Sequence, residues 1–213
     1  MKHDAGVTFI TGRRGSGKTT WLTNALKTEG RVIVFSPIER DFRKGFDQVS
    51  DLRGLTAVLR RKWGRGFRVK YTPPETDAGM VKALHELTLL VRALQEPYAQ
   101  DRDRRQITIA VDEANQAFPH HRPPGMDGFR WALLQGRNWG INIYAATQRP
   151  TLVHPDLRDN AERLIVFALM GDNALQAVTA AVGREHTDAI RKLENHQYIA
   201  FENGRATRGT NKL

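Results

Sequence analysis

The sequence contains no cysteine in its 213 residues. Without thiols the chain cannot form a disulfide framework, a cysteine nucleophile or a zinc site built on thiolates. Long apolar runs are absent too, because the most apolar stretches have only the length of strands (residues 7–10, 32–35, 107–111 and 164–170). A membrane-spanning helix needs roughly 20 apolar residues, and the N-terminus lacks the apolar region of a secretory signal. We therefore expect a soluble intracellular protein without a membrane span of its own.

Positive charge is in excess. The chain has 33 lysines and arginines against 23 aspartates and glutamates, a net charge of +10 with histidine neutral. Such a charge attracts nucleic acid or an anionic membrane, although it also simply keeps a protein soluble. The 40% hydrophobic and 26% charged residues are typical of a globular protein. The length indicates one domain over residues 1–213, with a short polar C-terminal tail from about residue 203.

Apolar runs alternate with helix-like segments along the chain, a pattern typical of an α/β fold with a mainly parallel central sheet flanked by helices. Strands are predicted at residues 7–12, 31–35, 67–71, 107–112, 141–147, 163–170 and 196–201. Helices are predicted at residues 18–27, 76–95, 129–137, 172–182 and 185–193. The segment 118–128 is rich in proline and glycine and is predicted to be a loop.

The clearest motif, hereafter the P-loop, runs from residue 12 to residue 19 and fits G-x-x-x-x-G-K-[ST] in full. It follows a predicted strand and opens a predicted helix, as a triphosphate-binding loop requires. Its glycines let backbone N–H groups curl around phosphate, and the helix N-terminus adds a positive dipole. Lys18 is predicted to reach the β- and γ-phosphates of ATP, and Thr19 to hold Mg²⁺. The predicted nucleotide site comprises Gly12, Arg13, Arg14, Gly15, Ser16, Gly17, Lys18, Thr19 and Thr20.

Two later strands end in polar residues of catalytic type. Asp112 and Glu113 follow the apolar strand at 107–112, and Gln148 follows the strand at 141–147. Asp112 suits the acid that organises the water shell of Mg²⁺, and Glu113 suits a general base that polarises the attacking water. The amide of Gln148 combines a donor and an acceptor, which suits a sensor that orients that water. The alternatives are that the acidic pair caps the helix from Ala114 and that Gln148 only marks a turn.

These motifs together resemble the FtsK–HerA superfamily of DNA-translocating ATPases. The resemblance covers residues 7–201 and is carried by the runs GRRGSGKTT, ITIAVDEA, GRNWGINIYAATQRP and DNAERLIVFAL. Within the superfamily, the size is similar to that of the small genome-packaging ATPases of tailless icosahedral viruses with an internal membrane. The resemblance implies a RecA-like core, hydrolysis of ATP with Mg²⁺, and a homo-oligomeric ring, expected to be a hexamer. It further implies double-stranded DNA as partner, together with a capsid vertex or portal protein met in the host cytoplasm.

A ring of this kind places the nucleotide between subunits, where an arginine from the neighbour stabilises charge in the transition state. Arg137 and Arg163 match the recurring arginines of the superfamily, and Arg149 is a third candidate. A basic cluster with two interleaved aromatic residues is the candidate DNA contact: Arg60, Arg61, Lys62, Arg65 and Arg68. A solvated helix end explains that cluster equally well. The loop at 118–128 is a candidate pore loop, and its adjacent histidines, His120 and His121, are expected to be ordinary loop residues.

Three other functions fit parts of the pattern. One is a morphogenesis ATPase of the type used by filamentous phages, and another is a small P-loop kinase. A kinase transfers phosphate to its substrate and needs no water activator, so Glu113 and Gln148 argue against it. The third is a DNA-binding or scaffold protein that retains an inactive nucleotide site. Its weakness is that Lys18, Asp112 and Glu113 are all intact.

Overall fold

The computed structural model describes residues 5–211. Nine strands within this range form one sheet: β1 (Val7–Thr11), β2 (Arg31–Phe35), β3 (Asp47–Val49), β4 (Phe67–Tyr71), β5 (Ile107–Val111), β6 (Ile141–Thr147), β7 (Arg163–Phe167), β8 (Gln197–Glu202) and β9 (Arg205–Thr210). The strand order is β3-β4-β2-β5-β6-β1-β7-β8-β9. The seven strands β1 to β7 all run parallel, and only the pairings of β8 with β7 and of β9 with β8 are antiparallel. The predicted α/β class with a mainly parallel sheet is confirmed.

Helices cover both faces of the sheet: α1 (Lys18–Ala25), α2 (Leu52–Lys62), α3 (Asp77–Leu94), α4 (Glu96–Ala99), α5 (Ala114–Ala117), α6 (Gly128–Gln135), α7 (Pro155–Asp159), α8 (Asp172–Val182) and α9 (Thr187–Arg191). One face packs Trp21, Leu22 and Leu26, from α1 and the turn after it, on buried residues of the central strands. The other face buries the apolar sides of α2, α3 and α6 in a larger core. Because both faces are covered, the central strands are apolar throughout rather than alternating.

Several predicted boundaries are wrong by a few residues. The strands predicted to end at residues 12, 112 and 170 end at Thr11, Val111 and Phe167. The helix predicted at 18–27 ends in a 3-10 turn at Leu26–Thr28, and the one predicted at 129–137 gives way to a 3-10 turn at Gly136–Trp139. The helix predicted at 185–193 is a 3-10 turn followed by the short α9.

The largest correction concerns the C-terminus. The polar tail predicted from about residue 203 is wrong, because β9 pairs with β8 in register from Glu202↔Arg205 to Gln197↔Thr210. This strand lies at the edge of the sheet and is almost wholly exposed, so it has no apolar face that a sequence pattern would reveal. Strand β3 and helix α2 are also missing from the predicted elements, although Asp51 caps α2 by accepting a hydrogen bond from the Gly54 amide.

Within residues 5–211, none of the helices combines the length and the apolar character needed to cross a membrane.

Candidate active site

The P-loop connects the carboxyl end of β1, in the middle of the sheet, to the start of α1. Lys18 is buried, and its ammonium donates hydrogen bonds to the carbonyl oxygens of Gly12 at 2.8 Å and Arg13 at 3.0 Å. Burial lowers the pKa of Lys18, against the opposing attraction of Glu113 and Asp112. A desolvated ammonium inside a curl of backbone is a binding group for an anion, since phosphate oxygens can replace the two carbonyls as acceptors.

Two glycines of the loop have no room for a side chain. A Cβ atom on Gly12 would lie 2.5 Å from Cβ of Phe167 on the neighbouring strand β7. A Cβ atom on Gly17 would lie 2.9 Å from the Asn211 amide nitrogen and 3.1 Å from the His196 ring, and Gly17 also has a φ of +105°. The glycines of the motif are therefore required by close packing as well as by backbone conformation.

The C-terminal segment forms hydrogen bonds to the P-loop. The amide of Asn211 donates to the carbonyl of Gly17 at 2.7 Å, and the backbone N–H of His196 donates to the carbonyl of Ser16 at 3.0 Å. The backbone N–H of Asn211 in turn donates to the carbonyl of His196 at 2.8 Å. These bonds fix the orientation of two P-loop peptide groups, so Asn211 and His196 are positioning residues for this loop.

The guanidinium of Arg13 makes a further link, with two hydrogen bonds to the Asn195 side-chain oxygen at 2.8 and 3.3 Å. Arg14 is exposed at the tip of the loop. The contacts of Asn195, His196 and Asn211 with the P-loop could not be predicted from the sequence, because these residues lie more than 175 positions from the loop and belong to no local motif.

Asp112 is buried directly beyond β5 and close to the P-loop lysine. Its carboxylate accepts a hydrogen bond from the Ser36 hydroxyl at 3.3 Å, and its backbone N–H donates to the Phe35 carbonyl at 2.9 Å. Burial, reinforced by the charges of Glu113 and Asp41, raises the pKa of Asp112 to about 6. The carboxylate is therefore costly to ionise until a cation arrives.

An Mg²⁺ ion fits this site by the chemistry of its donors. Asp112 offers a carboxylate, and Thr19 and Ser36 offer hydroxyl groups, which together form the sparse oxygen set that Mg²⁺ shares with phosphate and water. Within residues 5–211, no group of three or more histidine, cysteine, aspartate or glutamate side chains could hold a metal alone. This finding includes the neighbourhood of His120 and His121, whose rings lie 4.6 Å apart.

Glu113 and Gln148 are brought into direct contact. The strands that precede them, β5 and β6, are neighbours in the sheet, and the Gln148 amide nitrogen donates to a Glu113 carboxylate oxygen. Glu113 adopts a left-handed backbone conformation, with a φ of +54°, and its side chain makes no capping hydrogen bond to α5. The carboxylate of Glu113 therefore contacts Gln148 and does not cap α5. Its second oxygen can accept a proton from water.

The end of β6 is also held in place. The Thr147 hydroxyl donates to the Asn115 side-chain oxygen at 2.8 Å and accepts from the Arg149 backbone N–H at 3.0 Å. These bonds fix the turn from which Gln148 projects. Arg149 itself is exposed at this same end of the sheet.

Arg137 and Arg163 lie at the opposite end of the sheet from the P-loop of their own chain. Arg163 opens β7 and pairs with Thr8 near the start of β1. At about 3.3 Å per residue, the four residues from Thr8 to the P-loop correspond to roughly 13 Å. The Arg163 guanidinium lies 3.7 Å from the Glu202 carboxylate, and that of Arg137 lies 4.0 Å from Glu162. Neither arginine is close enough to serve the nucleotide site of its own chain.

The basic cluster at residues 60–68 is divided by the fold. Arg60 and Arg61 are exposed near the end of α2. The Lys62 ammonium pairs with Asp47 at 2.6 Å, and the Arg68 guanidinium donates to the Leu26 carbonyl at 2.8 Å. The two interleaved aromatic rings, Trp63 and Phe67, stack on each other, and Phe67 is buried. Nucleic-acid bases therefore cannot stack on Phe67.

The loop at 118–128 is anchored at its start and open in its middle. Phe118 is buried, its carbonyl accepts from the His154 backbone N–H at 3.0 Å, and the His120 N–H donates to the Leu152 carbonyl at 3.0 Å. Further along, Arg122 pairs with Asp127 at 2.7 Å.

Similarity to known proteins is found in the structure and not in the sequence. No protein-family model matches the chain, and no curated protein matches it. Among solved structures, the fold is similar to the genome packaging NTPase B204 from Sulfolobus turreted icosahedral virus 2 in complex with ATP-gammaS. The TM-score is 0.76 and the identity 17%, over 100% of both chains.

Two further structures extend the similarity. VirB4 of Thermoanaerobacter pseudethanolicus has a TM-score of 0.61 and 11% identity, over 97% of this chain and 89% of that chain. EssC (ATPases 2 and 3) from Geobacillus thermodenitrificans has a TM-score of 0.58 and 12% identity, over 95% of this chain and 39% of that chain. The chain therefore shares its fold with these proteins, which is the α/β fold that the resemblance of its sequence implied.

Proposed function

We propose that the chain is an ATPase that translocates double-stranded DNA, as the genome-packaging motor of an icosahedral virus or prophage. One observation carries the proposal: Lys18, Asp112, Glu113 and Gln148 converge at the carboxyl ends of three adjacent strands. The similarity to a structure named as a genome packaging NTPase with a bound ATP analogue supports the choice of substrate and process. The partner at the capsid is proposed to be a vertex or portal protein, met in the host cytoplasm.

The reaction follows from the placement of these side chains. P-loop N–H groups and the Lys18 ammonium bind the β- and γ-phosphates, and the ammonium gives up its bonds to the carbonyls of Gly12 and Arg13. Glu113 accepts a proton from a water molecule, while the Gln148 amide holds the carboxylate and orients that water. Thr19 and Asp112 would hold Mg²⁺, which would supply charge that neutralises the phosphate oxygens.

The contact between Glu113 and Gln148 favours hydrolysis over the kinase alternative. A kinase excludes water and positions a substrate hydroxyl, whereas here a carboxylate and an amide form a pair suited to one water molecule. The same contact argues against a scaffold with an inactive nucleotide site.

We propose that the active species is a ring, a hexamer, in which an arginine of one subunit completes the nucleotide site of its neighbour. Cleavage concentrates charge on the γ-phosphoryl group, and an added arginine is typically worth ~10³–10⁵ in rate. Arg137 and Arg163 lie too far from their own P-loop to supply that charge. Arg137 is exposed and Arg163 half-buried at the opposite end of the sheet, where a neighbour's nucleotide can face them.

Mixing two inactive variants tests this arrangement. Glu113→Gln lacks the base, and Arg163→Ala or Arg137→Ala lacks the arginine. In a mixed ring, some interfaces pair an intact Glu113 with an intact arginine from the other variant, so partial ATPase activity is expected to return. The absence of recovery for both arginines, with mixing confirmed, would refute action between subunits.

The function itself is tested by measuring phosphate release from ATP with and without double-stranded DNA. We expect hydrolysis that DNA of any sequence accelerates and that Glu113→Gln abolishes. Binding should weaken steeply with salt, because phosphate contacts release counterions. Phosphate transfer to a small molecule without DNA stimulation would favour the kinase, and an absence of hydrolysis would favour the scaffold.

A further inference from the structure

A second cavity with basic walls lies at the far end of the sheet from the P-loop. It has a volume of about 440 Å³ and sits where β2 and β5 begin. Three separate segments line it: Gly30 with Arg31, the turn from Gly64 to Gly66, and the run from Arg104 to Gln106. We call this space the basic cavity.

Four arginines line the basic cavity, namely Arg31, Arg65, Arg104 and Arg105. Its acidic lining residue, Glu29, is engaged elsewhere, since its carboxylate accepts a hydrogen bond from the Thr108 hydroxyl at 2.9 Å. The Asp103 carboxylate neutralises Arg105 through hydrogen bonds of 2.7 to 3.0 Å.

Arg65 and Arg104 differ from Arg105. Both are exposed, and neither guanidinium has an ion pair or a hydrogen bond to another residue between positions 5 and 211. The basic cavity therefore carries positive charge that the fold leaves uncompensated.

Arg31 adds a second and independent feature. Its side chain is buried, with only 5% of the residue exposed, and its guanidinium lies 4.1 Å above the Trp63 ring. One nitrogen, Nη2, donates to the Trp63 carbonyl at 2.6 Å. The other, Nη1, is buried without a hydrogen-bond partner among the described residues. A buried donor without an acceptor is unfavourable, and more so when it is charged, so an anion in this cavity would relieve it.

The shape of the basic cavity is fixed by backbone. Gly66 has a φ of +85°, and a Cβ atom there would lie 2.5 Å from the Gly30 carbonyl oxygen. The Phe67 N–H donates to that same oxygen at 3.2 Å. The turn carrying Arg65 is thereby held against the start of β2.

We propose that the basic cavity is a second phosphate site, separate from the nucleotide site, and that it takes a phosphodiester of the DNA backbone. A guanidinium group matches phosphate geometry through paired N–H donors. A strand suits the site better than a free ion, because Arg65 and Gly66 also line an adjoining cavity of about 490 Å³ that contains Lys62 and Arg68. The two cavities share Arg65 and Gly66 in their walls and so lie side by side, and in the second one the charge of Lys62 is paired with Asp47 while Arg68 adds a positive charge. The identity of this ligand rests on the proposed translocase function, whereas the phosphate site does not.

The test compares two double variants that lose the same charge. Arg65→Ala/Arg104→Ala removes two positive charges from the basic cavity, and Arg53→Ala/Lys82→Ala removes two exposed positive charges that lie neither in the basic cavity nor in the basic cluster at residues 60–68. Binding of double-stranded DNA is measured across a range of salt concentrations. Each lost phosphate contact lowers the slope of log K against log salt by about 0.9. We expect the cavity variant to lose about 2 in slope and to bind roughly 50-fold more weakly at 0.1 M salt, with the control near the parent and DNA-independent ATPase unchanged in both.

A second arm distinguishes free phosphate from DNA. Inorganic phosphate is titrated into Lys18→Ala, in which the P-loop no longer competes, and into the same variant carrying Arg65→Ala/Arg104→Ala. Loss of phosphate binding in the latter supports the site. Equal slopes for the cavity variant and its control would overturn the DNA assignment, even if phosphate binding were lost. If the parent protein bound no DNA, the proposed translocase function would be refuted. If Lys18→Ala bound no phosphate, the proposed phosphate site would be refuted as well.

Discussion

Replacing Asp112 with asparagine separates two effects of its buried charge: the free energy of folding that the charge costs, and its role in binding Mg·ATP. Burial raises the pKa of Asp112 from 3.8 to about 6. That difference corresponds to about 3 kcal/mol at neutral pH, since each pKa unit is worth about 1.4 kcal/mol. Asparagine keeps the size of the side chain and an oxygen that accepts from Ser36. Asp112→Asn should therefore stabilise the nucleotide-free protein at pH 7.5, by up to about 3 kcal/mol.

The pH dependence of that gain has a definite sign. The raised pKa means that the folded protein binds more protons than the unfolded chain between pH 3.8 and about 6, so the cost of Asp112 is complete above pH 6. As the pH falls through this window, the cost is lost, and about 1 kcal/mol remains at pH 4.5. Urea unfolding of both proteins at pH 7.5 and 4.5 measures the difference.

Asp103→Asn is a matched control with the opposite sign. The Arg105 guanidinium holds the pKa of Asp103 well below its usual range, so this carboxylate stabilises the fold when ionised. Its replacement should lower the free energy of unfolding at pH 7.5, where Asp112→Asn raises it.

Added Mg·ATP should reverse the ranking. A ligand that binds only the folded state stabilises it, by about 4.1 kcal/mol at 1,000 times the Kd, and the parent should gain this while Asp112→Asn should not. If Asp112→Asn were less stable than the parent without nucleotide at pH 7.5, or if it gained as much from Mg·ATP, the assigned role of Asp112 would be wrong.

Three further substitutions test other parts of the site. Lys18→Ala should weaken ATP binding at least about 100-fold in a fluorescent-nucleotide titration, because charge-assisted hydrogen bonds of ~1.5–3 kcal/mol each are lost; unchanged affinity would contradict the phosphate role. Gln148→Ala should lower kcat about 100-fold with the Kd for ATP nearly constant, and a fall in affinity alone would count against a sensor of water. Asn211→Ala releases the Gly17 carbonyl and should raise the Kd for ATP about 2- to 10-fold, with the thermal midpoint of the nucleotide-free protein little changed. The control Thr207→Ala, at an exposed position of β9 just before Asn211, should leave the Kd for ATP unchanged.

The sequence was sufficient to predict the central strands and the catalytic motifs, for a physical reason. Strands such as β5 and β6 are buried on both faces, so they are recognisable as continuous apolar runs. The polar residues that follow them, Asp112, Glu113 and Gln148, meet because the carboxyl ends of neighbouring parallel strands lie at one edge of the sheet. Local order along the chain was therefore enough to infer their contact.

Long-range contacts of polar residues could not be predicted in this way. Strand β9 has no buried face, so its polar sequence looked like a tail. The hydrogen bond from Asn211 to Gly17 spans 194 positions, and the basic cavity joins Arg31, Arg65 and Arg104 from three distant segments. No periodicity in the sequence predicts these contacts, because they depend on strand order and on the way the chain turns between elements.

Displacement of a third strand from a DNA triplex tests translocation most directly. A motor that moves along the duplex removes a triplex-forming oligonucleotide from its path without separating the duplex itself. We predict ATP-dependent displacement by the assembled protein, and none with Glu113→Gln or with an ATP analogue that cannot be cleaved. DNA-stimulated hydrolysis without displacement would contradict the proposal that this chain is a translocating motor.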